Sequence, residues 1–520
     1  MSTPHRTHER VGDHLLPLGL VLLGFALRVF ALDRRSLWVD EAFSWWLTGH
    51  SPREIVRLTV QLDQHPPLYY LTLHLWRLLF GDSVWAMRAL SAYAAVLTLP
   101  FVYVIGRRVF SRRGAYLLLL LLTVSPFHVR YAQEVRMYTW LFLWIAAAWV
   151  GVGPLFSPSR KVTTGSGLAL AGALWTHNMA WVFPVSVLPG LLVTVRARMA
   201  HLRSWGIALL LWLPWLPALV HQARGVMARF WIPYPTWDTW LGTWQALTAA
   251  CFPASRGWTL WAVVFAVLAW AGGRHLRGPR PRLWLSFLLL PMLVEWGVSM
   301  YRPLYSTRTL IWLLLPFLLL LTAFFLASSF RPLRLLLLGI FLGLQMTALV
   351  HFYPACERES WASAVAYVAH HAQPGDGVVF NAGWTRWAFD YYARGYALDV
   401  EEYPVPGPPE RVGQLEPLTR PEDMASLRAF LQRHPRVWLV YSHEWYTDPE
   451  RLTRRTLEAW GEPVESWEGR GIRVFLYRAG GKMSSAGKGQ TSPDTGSSDF
   501  IGISPARSLI PNSYIPLRDF

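Results

Sequence analysis

The chain has 520 residues, 53% hydrophobic and only 16% charged, against about a quarter charged in an average soluble chain. Its 15% aromatic content and two cysteines exclude disorder, collagen, a coiled coil and a disulfide-framed secreted domain, and leave an all-α polytopic membrane protein. The net charge of +17 comes from 49 basic residues against 32 acids, and only 11 of those acids lie in the first 352 residues. A basic excess made by removing acids from short loops is a topology signal, which argues against a nucleic-acid partner. Cys251 and Cys356 are too few for a disulfide framework, although a single outer pair stays open.

Apolar runs near the ~20 residues needed to cross hydrocarbon recur along the chain. They predict eleven spans, at 15–32, 86–106, 114–129, 137–153, 163–179, 181–195, 206–220, 258–272, 283–299, 309–328 and 335–352. The first is followed by no small-residue cleavage site and reads as a span rather than a signal peptide. Between the first two lies a long segment, 33–85, in which 42–48, 52–62 and 68–80 read as amphipathic helices along the interface. Trp45, Trp46, Tyr69, Tyr70 and Trp76 are expected at headgroup depth there.

One set of loops carries the Arg pairs 107–108, 112–113 and 331/334, the cluster 196–203, Arg160-Lys161 and the cluster 274–282, with no acid in any. The other carries Asp33, Asp40, Glu41, Glu54, Asp63, Asp82, Glu134 and Asp238. The positive-inside rule puts the first set in the cytoplasm, so the N-terminus is expected inside and the region past 352 outside, in a cell inner membrane.

From 353 to 480 the composition becomes that of a small soluble α/β domain. Residues 375–380, 436–441 and 473–477 read as strands, and 359–371, 384–394, 421–433 and 448–460 as helices. The Ser- and Lys-bearing stretch 481–520 reads as a disordered tail, whose deletion should leave activity and stability alone. The predicted division is therefore a membrane domain 1–352, an extracytoplasmic α/β domain 353–480, and the tail.

Chemistry-bearing residues crowd the outer loops. In Trp38-Val39-Asp40-Glu41 two adjacent carboxylates either cap a short helix or supply a general base at the membrane surface. In Gln64-His65-Pro66-Pro67-Leu68-Tyr69-Tyr70 the prolines fix where His65 points, as a plain surface histidine or as a phosphate or metal ligand. The stretch Arg130-Tyr131-Ala132-Gln133-Glu134-Val135-Arg136 places arginines where the orientation rule disfavours them. Glu134 compensates them in a structural pair, or a lipid phosphate does. Arg302 and Arg308 repeat that pattern, with Glu295 inside the preceding span as a functional group or a buried partner. His177-Asn178 reads as a polar turn or a ligand. Together they describe one interfacial site, in which Asp40 and Glu134 are expected to face a common cavity.

In order along the chain, Leu37-Trp38-Val39-Asp40-Glu41, His65-Pro66-Pro67-Leu68-Tyr69-Tyr70, Arg88, Arg130 to Tyr138, Trp175-Thr176-His177 and Pro303 to Arg308 resemble bacterial glycosyltransferase family 39. That family is related to protein O-mannosyltransferases and lipid A aminoarabinose transferases, all of GT-C fold. The resemblance implies an enzyme of the cell envelope that moves a sugar from a polyprenyl-phosphate donor to an outer acceptor, usually with inversion. It implies Asp40 as base on the acceptor, and Glu41, His65, Arg130, Glu134, Arg136 and Arg308 around donor and phosphate. Tyr69, Tyr131, His177 and Arg302 join the expected binding set from their places in the same loops.

A phosphate leaving group needs charge neutralisation by Arg, His or a divalent cation, and the residues name no particular metal. Gln64 stands where the aminoarabinose enzymes carry a metal-binding acid, and His65 where they carry lysine. The 221–257 loop is too short for the lumenal domain of the eukaryotic mannosyltransferases. The acceptor thus stays open among lipid, glycan and protein. The competing reading is a lipid or polysaccharide transporter or flippase, which would want charges at mid-membrane and paired broken helices.

Overall fold

The computed structural model describes residues 12–151, 164–193, 195–228, 232–249, 256–276, 282–327, 329–355 and 357–480. Both cysteines, the Arg160-Lys161 loop and the tail 481–520 lie outside the described residues.

Over its described residues each predicted apolar run is largely helical. Among the described residues five helices are long and apolar enough to cross a membrane: Val84–Val109, Arg198–Gly225, Leu283–Tyr301, Thr307–Leu326 and Arg331–Pro354. Arg112–Thr123 and Pro126–Ala132 form a sixth only as a pair, bent by 55°, and four further apolar helices are shorter. This is a multi-pass membrane protein.

The bent pair has a chemical reason. Pro126 opens the second helix and brings no N–H, so the break strands carbonyls that a bilayer cannot hydrate. Arg28, fully buried at the end of the helix Gly12–Val29, takes them: its guanidinium donates to the carbonyls of Leu122 (3.1 Å), Thr123 (3.1 Å) and Gly24 (2.9 Å). His128 Nδ1 lies 2.7 Å from the same group. Arg28→Leu should therefore cost about 1–3 kcal/mol, since the buried Thr123 carbonyl loses its donor while that of Leu122 keeps the Ser125 N–H (3.2 Å). A melting temperature of the detergent-solubilised protein equal to wild type would contradict this.

The long segment after the first helix folds into Val39–Leu47, Pro52–Leu62 and Leu68–Phe80, as the amphipathic spacing predicts. Its aromatics pack against protein. Tyr69 and Tyr70 are fully buried, and Trp46 stacks on Trp387 of the C-terminal unit with ring centroids 4.4 Å apart. Trp45 donates its indole N–H to Asp82 (2.9 Å). A pattern that reads as membrane-surface aromatics here glues the segment to the following unit.

That unit is built on a five-stranded sheet whose strands, across the sheet, are Val400–Pro404, Asp376–Phe380, Arg436–Tyr441, Ile472–Ala479 and Gly461–Gly469. The strands are β1 (Asp376–Phe380), β2 (Val400–Pro404), β3 (Arg436–Tyr441), β4 (Gly461–Gly469) and β5 (Ile472–Ala479). β1 pairs in parallel with β2 and β3, while β5 runs antiparallel to β3 and β4. The three strands visible in the sequence are the central ones, where burial on both faces selects continuous Val, Leu and Phe. The two missed are the edges, Val-Glu-Glu-Tyr-Pro and Gly-Glu-Pro-Val-Glu-Ser-Trp-Glu-Gly. Charge and proline are how edge strands avoid further pairing, and they erase the strand signature.

The unit packs directly over the loop segment. Asp82 pairs with Arg394 (2.5 Å), Tyr391 donates its hydroxyl to the Asp82 carbonyl (3.1 Å), and Arg358 pairs with Glu134 (2.8 Å).

Candidate active site

A cavity of about 320 Å³ opens where these pieces meet. Asp40 reaches it from the first turn of Val39–Leu47, and Asp63, Gln64 and His65 from the turn between the next two helices. Arg136 and Tyr138, His177 and Asn178, and the Arg302–Thr309 segment line the membrane side. Trp384, Leu415 and Glu416 of the C-terminal unit complete the wall.

Asp40 Oδ2 lies 3.3 Å from Arg308 Nη1, and its backbone carbonyl accepts from Arg136 Nη1 (3.4 Å) and the Ser44 hydroxyl (3.0 Å). Arg308 is aimed by Glu295: one carboxylate oxygen, Oε1, accepts the Ser306 N–H (3.2 Å) and the Thr309 hydroxyl (2.6 Å), pinning the turn that carries the arginine. The intramembrane acid thus serves the loop rather than the cavity. Arg136 Nη1 also donates to the Tyr70 hydroxyl (3.2 Å), which donates to Asp63 Oδ2 (2.6 Å). Burial pushes the Asp63 carboxyl above its usual range, against the pull of Arg136. The Arg136 Nε–H is buried with no hydrogen-bond partner.

The two cavity histidines lie side by side with ring centroids 4.4 Å apart and their planes tilted by 39°. Burial, together with the charges of Arg136 and Arg308, drives the His65 imidazole well below the ordinary histidine range. His177 Nδ1 accepts the Met179 N–H (3.1 Å), which leaves the proton on Nε2, and that atom is buried without a partner. His65 Nδ1 is likewise buried and unpartnered. The backbone beneath His65 is fixed by amides, Gln222 Nε2 donating to the His65 carbonyl (3.3 Å) and Asn178 Nδ2 to that of Gln64 (2.7 Å). Polar atoms buried without partners in a pocket rich in arginine fit an oxygen-rich anionic ligand.

Of the residues singled out from the sequence, the structure brings Asp40, His65, Arg136, His177, Arg302 and Arg308 to this cavity. Five stand behind it. Glu41 is fully buried in a bidentate pair with Arg88 (Nη2 to Oε2, 2.6 Å; Nε to Oε1, 2.8 Å) and does not face the pocket. The first-turn acid that does both capping and ion pairing is thus the second of the two. Tyr69 spends its hydroxyl on Ser91 (3.4 Å), and Tyr131 is buried between Phe127 and Tyr138. Arg130 lies 3.8 Å from Glu134 Oε1, which Arg358 also engages. The expectation that Glu134 shares Asp40's cavity is therefore corrected: a cation from the C-terminal unit reaches Glu134 and makes it part of the docking contact. Asp63, Gln222, Trp384 and Glu416 were missed, and no local spacing marks them.

Among the described residues no cluster of three His, Cys, Asp or Glu side chains is arranged to hold a metal ion.

A bundle of membrane helices with an interfacial loop cavity and a covering α/β unit is the GT-C architecture. In overall structure the chain is similar to ArnT from Cupriavidus metallidurans in the apo state, with TM-score 0.57 and 13% identity over 89% of this chain and 98% of that one. The same protein bound to undecaprenyl phosphate gives TM-score 0.52 and 15% identity over the same shares, 89% and 98%. Residues 64–217 match the family model for dolichyl-phosphate-mannose-protein mannosyltransferase. The resemblance to family 39 read from the motifs is borne out over that stretch, and the fold is that of GT-C glycosyltransferases. A comparison with curated protein sequences gives no match.

Proposed function

We propose that the protein is a membrane glycosyltransferase that moves a sugar from a polyprenyl-phosphate carrier to a hydroxyl or amine of a lipid, glycan or protein acceptor, on the extracytoplasmic side of the inner membrane. The observation that carries this reading is Asp40, ion-paired with Arg308, sharing a pocket with Arg136, Arg302 and the imidazoles of His65 and His177. The likeness to a protein solved with undecaprenyl phosphate supports the carrier class.

Asp40 takes the acceptor proton as the oxygen or nitrogen attacks the anomeric carbon. The bond from that carbon to the phosphate oxygen breaks on the opposite face, so the anomeric configuration inverts. The carrier leaves as a phosphate monoester whose added charge the arginines and the His177 Nε2–H receive. A phosphate arriving at Arg308 competes with Asp40 for the guanidinium, which links donor binding to release of the base.

Mass spectrometry of lipid co-purified with the protein tests the class: a prenyl-phosphate-sugar species is expected, and a protein carrying only bulk phospholipid would count against it. Arg308→Ala should weaken binding of undecaprenyl phosphate about ten- to a hundredfold, the worth of about 1.5–3 kcal/mol for hydrogen bonds to a charged group. Unchanged affinity removes Arg308 from the phosphate site.

A further inference from the structure

The helix that carries Asp40 has Trp38 at its N-cap, whose side chain caps no N–H, and within the helix only Glu41 reaches back, to the Trp38 N–H. A helix start leaves backbone N–H groups that need oxygen partners. Here the N–H groups of Trp38 and Val39 at the helix start, and of Ser36 and Leu37 just before it, find them on side chains. Ser36 N–H donates to Glu357 Oε1 (3.2 Å), Leu37 to the Tyr392 hydroxyl (2.7 Å), Trp38 to Glu41 Oε2 (3.3 Å) and Val39 to Glu359 Oε2 (3.1 Å). Three of the four acceptors come from the C-terminal unit, 320 or more residues along the chain.

Glu359 is the central one. It is buried, its Oε2 also takes the indole N–H of Trp361 (2.6 Å), and its Oε1 lies 3.3 Å from His443 Nε2. Burial opposes charge on His443, but the carboxylates of Glu359, Glu416 and Asp40 outweigh it and raise its pKa. The His443 ring packs 4.6 Å from Trp384, which with Glu416 forms the cavity wall. An unbroken set of contacts therefore runs from that wall through His443 and Glu359 to the N–H next to Asp40. A negative charge at a helix N-terminus is also favoured by the helix dipole.

We infer that Glu359 is a positioning residue for Asp40: the C-terminal unit caps the helix bearing the base and so sets where its carboxylate stands against Arg308. This rests on the reading of Asp40 as the base. Val39 N–H and the Trp361 indole donate to one carboxylate oxygen and the His443 ring faces the other, so a glutamine there keeps the shape but loses the negative charge that the helix N-terminus favours.

The test uses full-length protein in nanodiscs, with the radiolabelled polyprenyl-linked sugar pool from membranes of the source organism as donor and their lipid extract as acceptor. Glu359→Gln should lower the single-turnover transfer rate about ten- to a hundredfold, since misplacement of a catalytic group by about 1 Å costs on that order. Its affinity for undecaprenyl phosphate should stay within about threefold. Tyr392→Phe, which keeps the ring and loses only the acceptor for Leu37, should show the same split at smaller size and serves if the first variant misfolds. A wild-type rate in both variants overturns the inference while Asp40→Asn, run alongside, remains inactive. Loss of rate and lipid affinity in equal measure makes Glu359 a docking contact only and overturns it too. Full activity of Asp40→Asn would instead remove the reading underneath.

Discussion

Asp40→Asn is expected to lower sugar transfer by about 10²–10⁴-fold, the usual contribution of a positioned general base, while the protein folds and binds donor. Asparagine has the same shape but no oxygen that can take the acceptor's proton. The substitution spares the fold because the contacts Asp40 makes with Arg136 and Ser44 run through its backbone carbonyl. Its side chain is part-exposed and forms an ion pair with Arg308. Removing this competitor should leave Arg308 freer for phosphate, so affinity for undecaprenyl phosphate is expected to hold or rise. Initial rates with the polyprenyl-linked donor, alongside isothermal titration with undecaprenyl phosphate, check both halves. A variant that turns over like wild type excludes Asp40 as base; one that loses donor binding reassigns it to the donor site.

The sequence made the helices legible because hydrocarbon thickness imposes a length on every apolar run, and it made the interfacial loop legible because its polar and apolar residues alternate at helical spacing. Asp40, His65, Arg136, His177, Arg302 and Arg308 could be singled out because charge on the acid-bearing side of a membrane protein stands out against an apolar background. What stayed hidden depends on contacts between distant segments. Gln222 and Asn178 matter because they grip the backbone at 64–65, and neither spacing nor composition announces that. Glu134 looked like a cavity acid until Arg358, of the C-terminal unit, claimed it. Asp40 and Glu41 were indistinguishable in sequence because adjacent helical positions differ by about 100° in direction, and only the packed structure says which direction is the cavity.

That difference makes Glu41 the site of the largest expected effect on stability. Its carboxylate and the Arg88 guanidinium are both buried, and the pair ties together three segments. Arg88 Nη1 donates to the carbonyls of Leu32 (2.7 Å) and Arg35 (2.9 Å), its Nη2 to that of Ser36 (2.9 Å), and Glu41 Oε1 accepts the Val135 N–H (2.8 Å). Glu41→Ala strands a cation and a backbone donor away from water, so a loss of about 3–5 kcal/mol is expected, the range for breaking a buried pair by removing one partner. Removing both charges at once is different in kind, because the desolvation penalty goes with them. Glu41→Leu combined with Arg88→Met should therefore be clearly more stable than the sum of the two single losses, although the carbonyls at 32, 35 and 36 lose their donor and full recovery is not expected. Chemical denaturation of the two single variants and the double in detergent measures the coupling. Strict additivity would mean that the two charges do not sense each other, and that Glu41 holds the Asp40 helix by its backbone contact alone.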